Sequence, residues 1–296
     1  YLNNELPGMI NNASGGLVTV EWRPTLYSDD EYLWPLSEGK AQISQISPPN
    51  FATDVPEWEM SHIPFLFYGP DDYDSFMDAG GFDMYYNDVF DEYNLDVVAL
   101  ASWSFGTDGL WSKKPVTTVN DFKGMKIHAE AAAKDAVELL GGTGQKIAFE
   151  ELYLALDRGV VDGVLLGAPW GVGFGFQDVA KYYADWPIIP AFPQILTVNK
   201  SAWNALPKDV RTAVSNVIAT ELAPTVKQMS KEMFELQAVK GMLDEVGVTY
   251  ADLSPTEIAK AQDITKGIIA EWANKTPQCM KLLREFEKTS GRTILE

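Results

Sequence analysis

The chain has 296 residues, of which 46% are hydrophobic and 12% aromatic, a size and composition that allow a large folded core divided into two lobes. Its 42 acidic and 23 basic residues give a formal net charge of -19, which argues against nucleic acid or an anionic membrane surface as a partner, since both need a basic patch. Cys279 is the only cysteine, so the chain cannot form an internal disulfide, and no apolar run reaches the length of a transmembrane helix.

The chain begins in a predicted helix over residues 1–11 that ends at Gly15-Gly16, and a strand is predicted over 17–22. Residues 207–246 form a long amphipathic pattern, typical either of one helix that braces two lobes or of two helices with a kink. Because strands alternate with helices, the sequence predicts a mainly parallel α/β sheet. The other predicted strands are 41–46, 95–103, 126–129 and 194–199, and the other predicted helices are 30–39, 70–81, 82–93, 131–140, 179–184, 255–272 and 277–289.

One stretch, from Glu151 to Gly163, predicts a helix that feeds a short buried strand. Its apolar face has helical spacing, and Gly159 supplies a left-handed helix end. The pair Asp162-Gly163 is typical of a turn. We interpret Glu151 and Asp162 as structural residues.

Catalytic signals are weak. His62 and His128 are the only histidines, and the sequence has no metal-binding HExxH motif, no nucleophile elbow and no phosphate-binding lysine motif. The glycine-rich segment 171–175 is followed by Phe176, where a dinucleotide loop needs its third glycine, so we interpret it as a loop near a cleft. Cys279 lies in a predicted C-terminal helix, away from the strand ends where a nucleophile is expected. We therefore expect no cofactor and no metal.

Four blocks, in their order and spacing, resemble the solute-binding proteins of tripartite ATP-independent periplasmic (TRAP) transporters, of the DctP type. The resemblance covers nearly the whole chain. It implies an opening strand before residue 1, so we expect that the natural N-terminus lies further upstream. The blocks run from Asn12 to Glu21, from Phe122 to Ile127, from Glu151 to Gly163 and from Val198 to Pro207.

The resemblance implies an α/β, two-lobed fold of the periplasmic-binding-protein-like type II, with discontinuous lobes joined by crossing strands and a long helix. Lobe I is expected to contain residues 1–105 plus 193–232, and lobe II residues 106–192 plus 233–296. A ligand is then expected in the crevice between the lobes, beyond the carboxyl ends of strands, with hinge closure around it.

The resemblance also implies two arginines that grip a carboxylate in members that bind organic acids. This chain departs from that pattern at both arginine positions. Asp108, which follows Gly106-Thr107, stands at the first, and His128, which follows Lys126-Ile127, stands at the second. Leu166 stands at a third position, which is polar in the family. Asp108 repels a carboxylate and attracts an ammonium group, and His128 is suited to hydrogen-bond a hydroxyl or carbonyl. A cationic or neutral ligand, such as an amine or amino-alcohol, is therefore expected. The alternative is a small carboxylate or sulfonate anchored by His128.

Aromatic side chains are expected to add cation–π contacts, and polar groups of the first lobe's cleft loop are expected to add hydrogen bonds. Each has a structural alternative: Asp108 as a solvated turn residue, His128 as a structural histidine, and the aromatics as core. Trp103 and Trp170 are favoured because they follow predicted strand ends, with Trp111 a further candidate. The other candidates are Phe105, Phe149, Phe192, Ser47 and Asn50.

These patterns predict a periplasmic solute receptor that captures a small polar molecule and delivers it to the membrane subunits of a TRAP permease, without nucleic acid and without inserting into the membrane itself. Two other classes stay open at this point. One is an enzyme on the same fold, and the other is a sensory binding module that docks to a receptor domain.

Overall fold

A computed structural model describes residues 2–23, 26–28 and 30–295, so Tyr1 of the predicted first helix lies outside the described residues. The strands are β1 (Ile43–Ile46), β2 (Val97–Ser104), β3 (Asp108–Ser112), β4 (Lys126–His128), β5 (Thr143–Gln145), β6 (Gly163–Leu166), β7 (Tyr182–Ile189), β8 (Pro193–Asn199) and β9 (Thr249–Tyr250).

The helices are α1 (Leu2–Ala13), α2 (Leu33–Ser37), α3 (Pro70–Phe76), α4 (Asp88–Glu92), α5 (Ala131–Leu139), α6 (Leu152–Asp157), α7 (Ala168–Gly173), α8 (Lys200–Ala205), α9 (Lys208–Val217), α10 (Ala223–Met233), α11 (Leu236–Glu245), α12 (Pro255–Thr265), α13 (Gly267–Ala273) and α14 (Pro277–Ser290). Short 3₁₀ turns at Pro48–Phe51 and Pro56–His62 follow β1, and π-helical turns at Met77–Gly81, Asp83–Asn87 and Ile218–Leu222 join neighbouring helices.

The strands form two separate sheets. The first has the order β1-β8-β2 with both pairings antiparallel, and the second has the order β5-β4-β6-β3-β7-β9. In the second sheet β3 is antiparallel to β6 and β7, whereas the β4–β5, β4–β6 and β7–β9 pairs are parallel. The predicted mainly parallel sheet is therefore wrong for the first sheet. The reason is that the chain crosses between the sheets and returns in the opposite direction, which pairs β2 with β8 and β3 with β7 antiparallel.

Two short segments cross between the sheets side by side. Residues 105–107 lead from β2 into β3, and residues 190–192 lead from β7 back into β8. They are joined by two backbone hydrogen bonds, from Phe105 N–H to the Phe192 carbonyl (2.9 Å) and from Phe192 N–H to the Gly106 carbonyl (3.1 Å). The predicted two-lobed α/β fold with crossing strands is confirmed.

The long 207–246 pattern is two helical segments rather than one. The first comprises α9, a π-helical turn and α10, and it ends at Met233. The carboxylate of Glu235 then starts α11 by accepting hydrogen bonds from two backbone amides of its first turn, each 3.1 Å long. The hydroxyl of Ser230 donates to the Ser104 carbonyl (2.7 Å), so this break in the helix lies beside the crossing segments.

Two further predicted elements are wrong. Residues 17–22 form no strand, and most of them are exposed, because no neighbouring strand pairs with them. The predicted helix at 179–184 overlaps β7, where Tyr183 pairs with Trp111 of β3 and with Tyr250 of β9. Buried and half-buried residues alternate from Ala184 to Ile188, as is typical of a strand, whereas the buried residues Ala180, Tyr183 and Ala184 have helical spacing.

The C-terminal helix α14 packs against the 3₁₀ turn Pro56–His62 and against α3. Its Phe286 ring lies 4.9 Å from the Phe67 ring and 5.5 Å from the Phe76 ring, measured between centroids. These contacts connect the end of the chain to residues that the sequence assigned to lobe I. The division of the chain at residues 105, 192 and 232 stays a prediction.

Candidate functional site

A cavity of about 1180 Å³ lies between the two sheets and is lined by residues of both. Its walls include the end of β1, the crossing segments, the first residue of β3 and the last residues of β4 and β6. Strand ends therefore converge on one space, as the sequence predicts for a ligand crevice.

Asp108 is a buried carboxyl group in the wall of this cavity. It is only 4% exposed, and it begins β3 opposite Ile189 of β7, so it is a strand residue and not a solvated turn residue. Burial raises its pKa to about 7, the backbone N–H of Gly167 opposes the shift, and the neighbouring Asp185 carboxyl adds to it. Within the described residues Asp108 has no ion-pair partner.

Asp185 is a second carboxyl group near Asp108, although it is not one of the residues that line the cavity. It accepts a hydrogen bond from the Thr107 hydroxyl (3.2 Å), and burial raises its pKa as well. Two carboxyl groups near each other, without a cation between them in the described part of the chain, favour either a bound proton or a positively charged ligand.

His128 ends β4 and also lines the cavity, on the same sheet as Asp108 and with only β6 between their two strands. Its Nδ1 accepts a hydrogen bond from the Ile147 N–H (3.1 Å), so the neutral ring carries its proton on Nε2. Burial lowers its pKa to about 4, with a further lowering by the Lys146 charge and a partial offset by the Gln145 carbonyl. At neutral pH His128 is thus suited to hydrogen bonding and carries no positive charge.

His62 is a residue of the cavity wall that the sequence analysis did not select. It is 6% exposed, neither of its ring nitrogens has a hydrogen-bond partner, and burial lowers its pKa to about 3. Its ring stacks on Phe192, with centroids 5.7 Å apart and planes inclined by 27°. The only sequence signal was that His62 is one of two histidines, because its placement depends on a contact distant in sequence.

Most of the predicted aromatic residues line the cavity. Phe105 and Trp170 contact each other edge to face at 5.4 Å, and Phe149 lies near the opening against Phe174 at 4.8 Å. Phe192 contributes its ring from the second crossing segment.

Trp103 and Trp111 are placed elsewhere. Trp103 lies within β2, one residue before its end, and is fully buried in the cluster formed with Leu196 and helices α9 and α10. Trp111 lies within β3 and packs edge to face on Tyr183 in the core of the second lobe. Neither lines the cavity, because both are interior strand residues whose indoles pack into apolar clusters, and β3 is a strand that the sequence did not predict.

The remaining candidates also line the cavity. Ser47 follows β1, and its hydroxyl donates to the Pro193 carbonyl (3.3 Å), which leaves the oxygen able to accept from a ligand. Asn50 lies in the 3₁₀ turn after it. Leu166, the last residue of β6, presents an apolar surface opposite Gly109.

The cationic side chains of the wall already face carboxylates. All are on the exposed side of the cavity, and each has an acidic partner within ion-pair distance in the described ranges. The wall therefore offers an anionic ligand no arginine or lysine that lacks a carboxylate neighbour. The pairs are Arg23 with Glu21 (2.6 Å), Lys40 with Glu38 (2.5 Å) and Lys146 with Glu130 (3.0 Å).

A family model described as bacterial extracellular solute-binding protein, family 7 (DctP), matches residues 3–276. The chain belongs to this family. It is therefore an extracytoplasmic solute-binding receptor and not an enzyme. In the described ranges, no helix has both the length and the apolar character to cross a bilayer, and no group of three or more His, Cys, Asp or Glu side chains is placed to hold a metal ion.

Relatives of this DctP-family receptor are similar to it in sequence over most of its length. The C4-dicarboxylate-binding periplasmic protein DctP of Rhodobacter capsulatus is 27% identical over 267 residues, which are 88% of this chain and 78% of that protein.

Solved structures share its fold. An extracytoplasmic solute receptor of Bordetella pertussis that binds pyroglutamic acid has a TM-score of 0.84 at 21% identity, over 95% of this chain and 93% of that one. A TRAP periplasmic solute-binding protein of Chromohalobacter salexigens with bound D-glucuronate also has a TM-score of 0.84 at 21% identity, over 97% and 94% of the two chains.

Proposed function

We propose that this receptor captures a small polar organic molecule with a cationic or neutral centre, such as an amine or amino-alcohol, and delivers it to a TRAP permease. The observation that carries the proposal is Asp108, a buried carboxyl group in the cavity wall that has no ion-pair partner among the described residues. A ligand ammonium group that replaces the proton on Asp108 forms a charge-assisted hydrogen bond in a low-dielectric site.

The surroundings of Asp108 support this choice. His128 and His62 are neutral because burial lowers the pKa of both, so neither compensates a ligand's negative charge at neutral pH. The faces and edges of Phe105, Trp170 and Phe192 line the same cavity, and aromatic faces attract cations. A carboxylate ligand beside Asp108 would instead meet like charge.

A second ligand class has one observation in its favour. The relatives named above bind dicarboxylates, pyroglutamic acid or glucuronate, according to their descriptions. In this alternative, a carboxylate or sulfonate binds while Asp108 is protonated and His128 donates from Nε2. Because the pKa of Asp108 is about 7, such binding must weaken as the pH rises through that value.

A thermal-shift screen separates the two classes. Propylamine, 4-amino-1-butanol and choline are compared with butyrate, 4-hydroxybutyrate and pyroglutamate, each at increasing concentration. A ligand at about 100 times its Kd stabilises the folded protein by roughly 2.7 kcal/mol, which raises the melting temperature by several degrees. We expect shifts with the amines only, and we expect them to be lost in Asp108→Asn.

The matched control is Asp157→Asn, which changes an exposed aspartate of α6 and should keep every shift. Shifts with the carboxylates alone would contradict the proposed ligand class. Equal shifts in wild type and Asp108→Asn would remove Asp108 from the site.

A further inference from the structure

We infer that His62 is a specificity-determining residue that binds a hydroxyl or carbonyl group of the ligand, and that the receptor therefore prefers hydroxylated amines over simple amines. The inference rests on the proposed function for the ammonium group at Asp108 and adds a second recognition point to the same cavity.

The first observation is the isolation of the imidazole. His62 is the last residue of the 3₁₀ turn Pro56–His62 and is only 6% exposed. Neither Nδ1 nor Nε2 of its ring has a hydrogen-bond partner. Burying an imidazole without partners is unfavourable, and buried polar groups are nearly always paired. His62 is one of the residues that line the cavity, but its two nitrogens have almost no accessible surface, so a bound molecule supplies the missing partners once the ring turns toward it.

The second observation is the chemistry that a neutral imidazole offers. One nitrogen donates and the other accepts, so the ring is matched by a hydroxyl, which does both, or by a carbonyl, which accepts. The ring stacks on Phe192, which fixes its plane against the second crossing segment. An apolar group at this point would leave both nitrogens unpaired, and this difference is the source of the expected selectivity.

The third observation is the position relative to Asp108. Phe192, on which His62 stacks, donates its N–H to the Gly106 carbonyl, and Gly106 lies two residues before Asp108. His62 and Asp108 are thus both connected to the paired crossing segments, and both line the same cavity. A short molecule with an ammonium group and a hydroxyl group has the chemistry to contact both.

The test compares matched amines that differ by one hydroxyl: butylamine with 4-amino-1-butanol, and ethyltrimethylammonium with choline. Affinities are measured by isothermal titration calorimetry for wild type, His62→Phe and His62→Gln. Wild type should bind each hydroxylated member at least about fivefold more tightly. His62→Phe should remove this preference while it keeps the stacking on Phe192, and His62→Gln, which retains a donor and an acceptor, should restore part of it.

The melting temperature of the unliganded variants gives an independent readout. Removing an unpaired buried imidazole should raise it in His62→Phe by about 3 °C. A lower melting temperature would show that the ring serves the fold and would overturn the inference, as would a hydroxyl preference that survives in His62→Phe.

A different result identifies failure of the proposed function. If no amine binds wild type, the ammonium site at Asp108 is wrong, and the same hydroxyl comparison is made with butyrate and 4-hydroxybutyrate. A preference for 4-hydroxybutyrate that depends on His62 would then support the inference alone, and binding of neither series would overturn both.

Discussion

Replacing Asp108 by asparagine should change how the stability of the unliganded receptor depends on pH. The pKa of Asp108 is about 7 in the folded protein against an ordinary value of 3.8, so the folded state keeps a proton that the unfolded chain releases. The stabilisation that the Asp108 proton gives to the folded state is complete below the ordinary pKa of 3.8. It decreases as the pH rises above that pKa and is lost once the pH has passed the folded-state pKa of about 7. Because asparagine has no carboxyl proton to release, the stability of the variant should not decrease with pH for this reason.

The size of the effect follows from the same two values. Raising a carboxyl pKa from 3.8 to about 7 corresponds to about 4 kcal/mol, which should appear as a widening gap in unfolding free energy between variant and wild type from pH 4 to pH 8. Urea denaturation across that range measures the gap. The exposed variant Asp157→Asn should run parallel to wild type, and a gap for Asp108→Asn that stays constant with pH would refute the reasoning.

Three further results are expected. Gly106→Ala should destabilise the receptor by more than the ~1 kcal/mol that a positive φ alone costs, because an added Cβ would overlap the Phe234 ring. The control is Gly247→Ala, at a glycine that also has a positive φ but has open space around it. Equal urea midpoints for the two variants would contradict the expectation. Glu57→Ala should lower the unfolding free energy by about 1–3 kcal/mol without changing ligand affinity, since it removes the acceptor of two half-buried hydroxyl groups, those of Tyr93 and Thr276. The ¹⁵N signals of His128 should remain those of a neutral ring down to about pH 5, because its pKa is lowered to about 4, and titration near 6.5 would contradict its burial.

The sequence predicted the elements whose ends are marked locally. The short strand Lys126–His128 follows a glycine turn and ends at the predicted site residue, and helix α5 begins and ends within one residue of its predicted bounds. Asp108 and His128, which the resemblance implies for the cleft, both line the cavity, and their contact with a ligand stays a prediction.

What the sequence did not predict depends on tertiary contacts. The crossing from β2 into β3 takes only three residues, and all five residues of β3 are buried, so no alternation of polar and apolar residues marks the strand. The sequence predicts a helix at the start of β7 because the pairing of this strand with β3 and β9 involves residues far apart in sequence. His62 acquires its importance only from its stacking on Phe192.

The central claim is that a cationic or uncharged group of the ligand contacts Asp108. The pH dependence of the ligand's affinity tests this claim most directly. Calorimetric titration with 4-amino-1-butanol should show an affinity that rises roughly 20-fold between about pH 5.5 and about pH 7.5. Below the pKa of Asp108, binding of the amine should also release the proton of this carboxyl group into solution. Binding of butyrate or pyroglutamate that instead weakens over this interval, with no binding of the amine, would contradict the account and assign the cavity to organic acids.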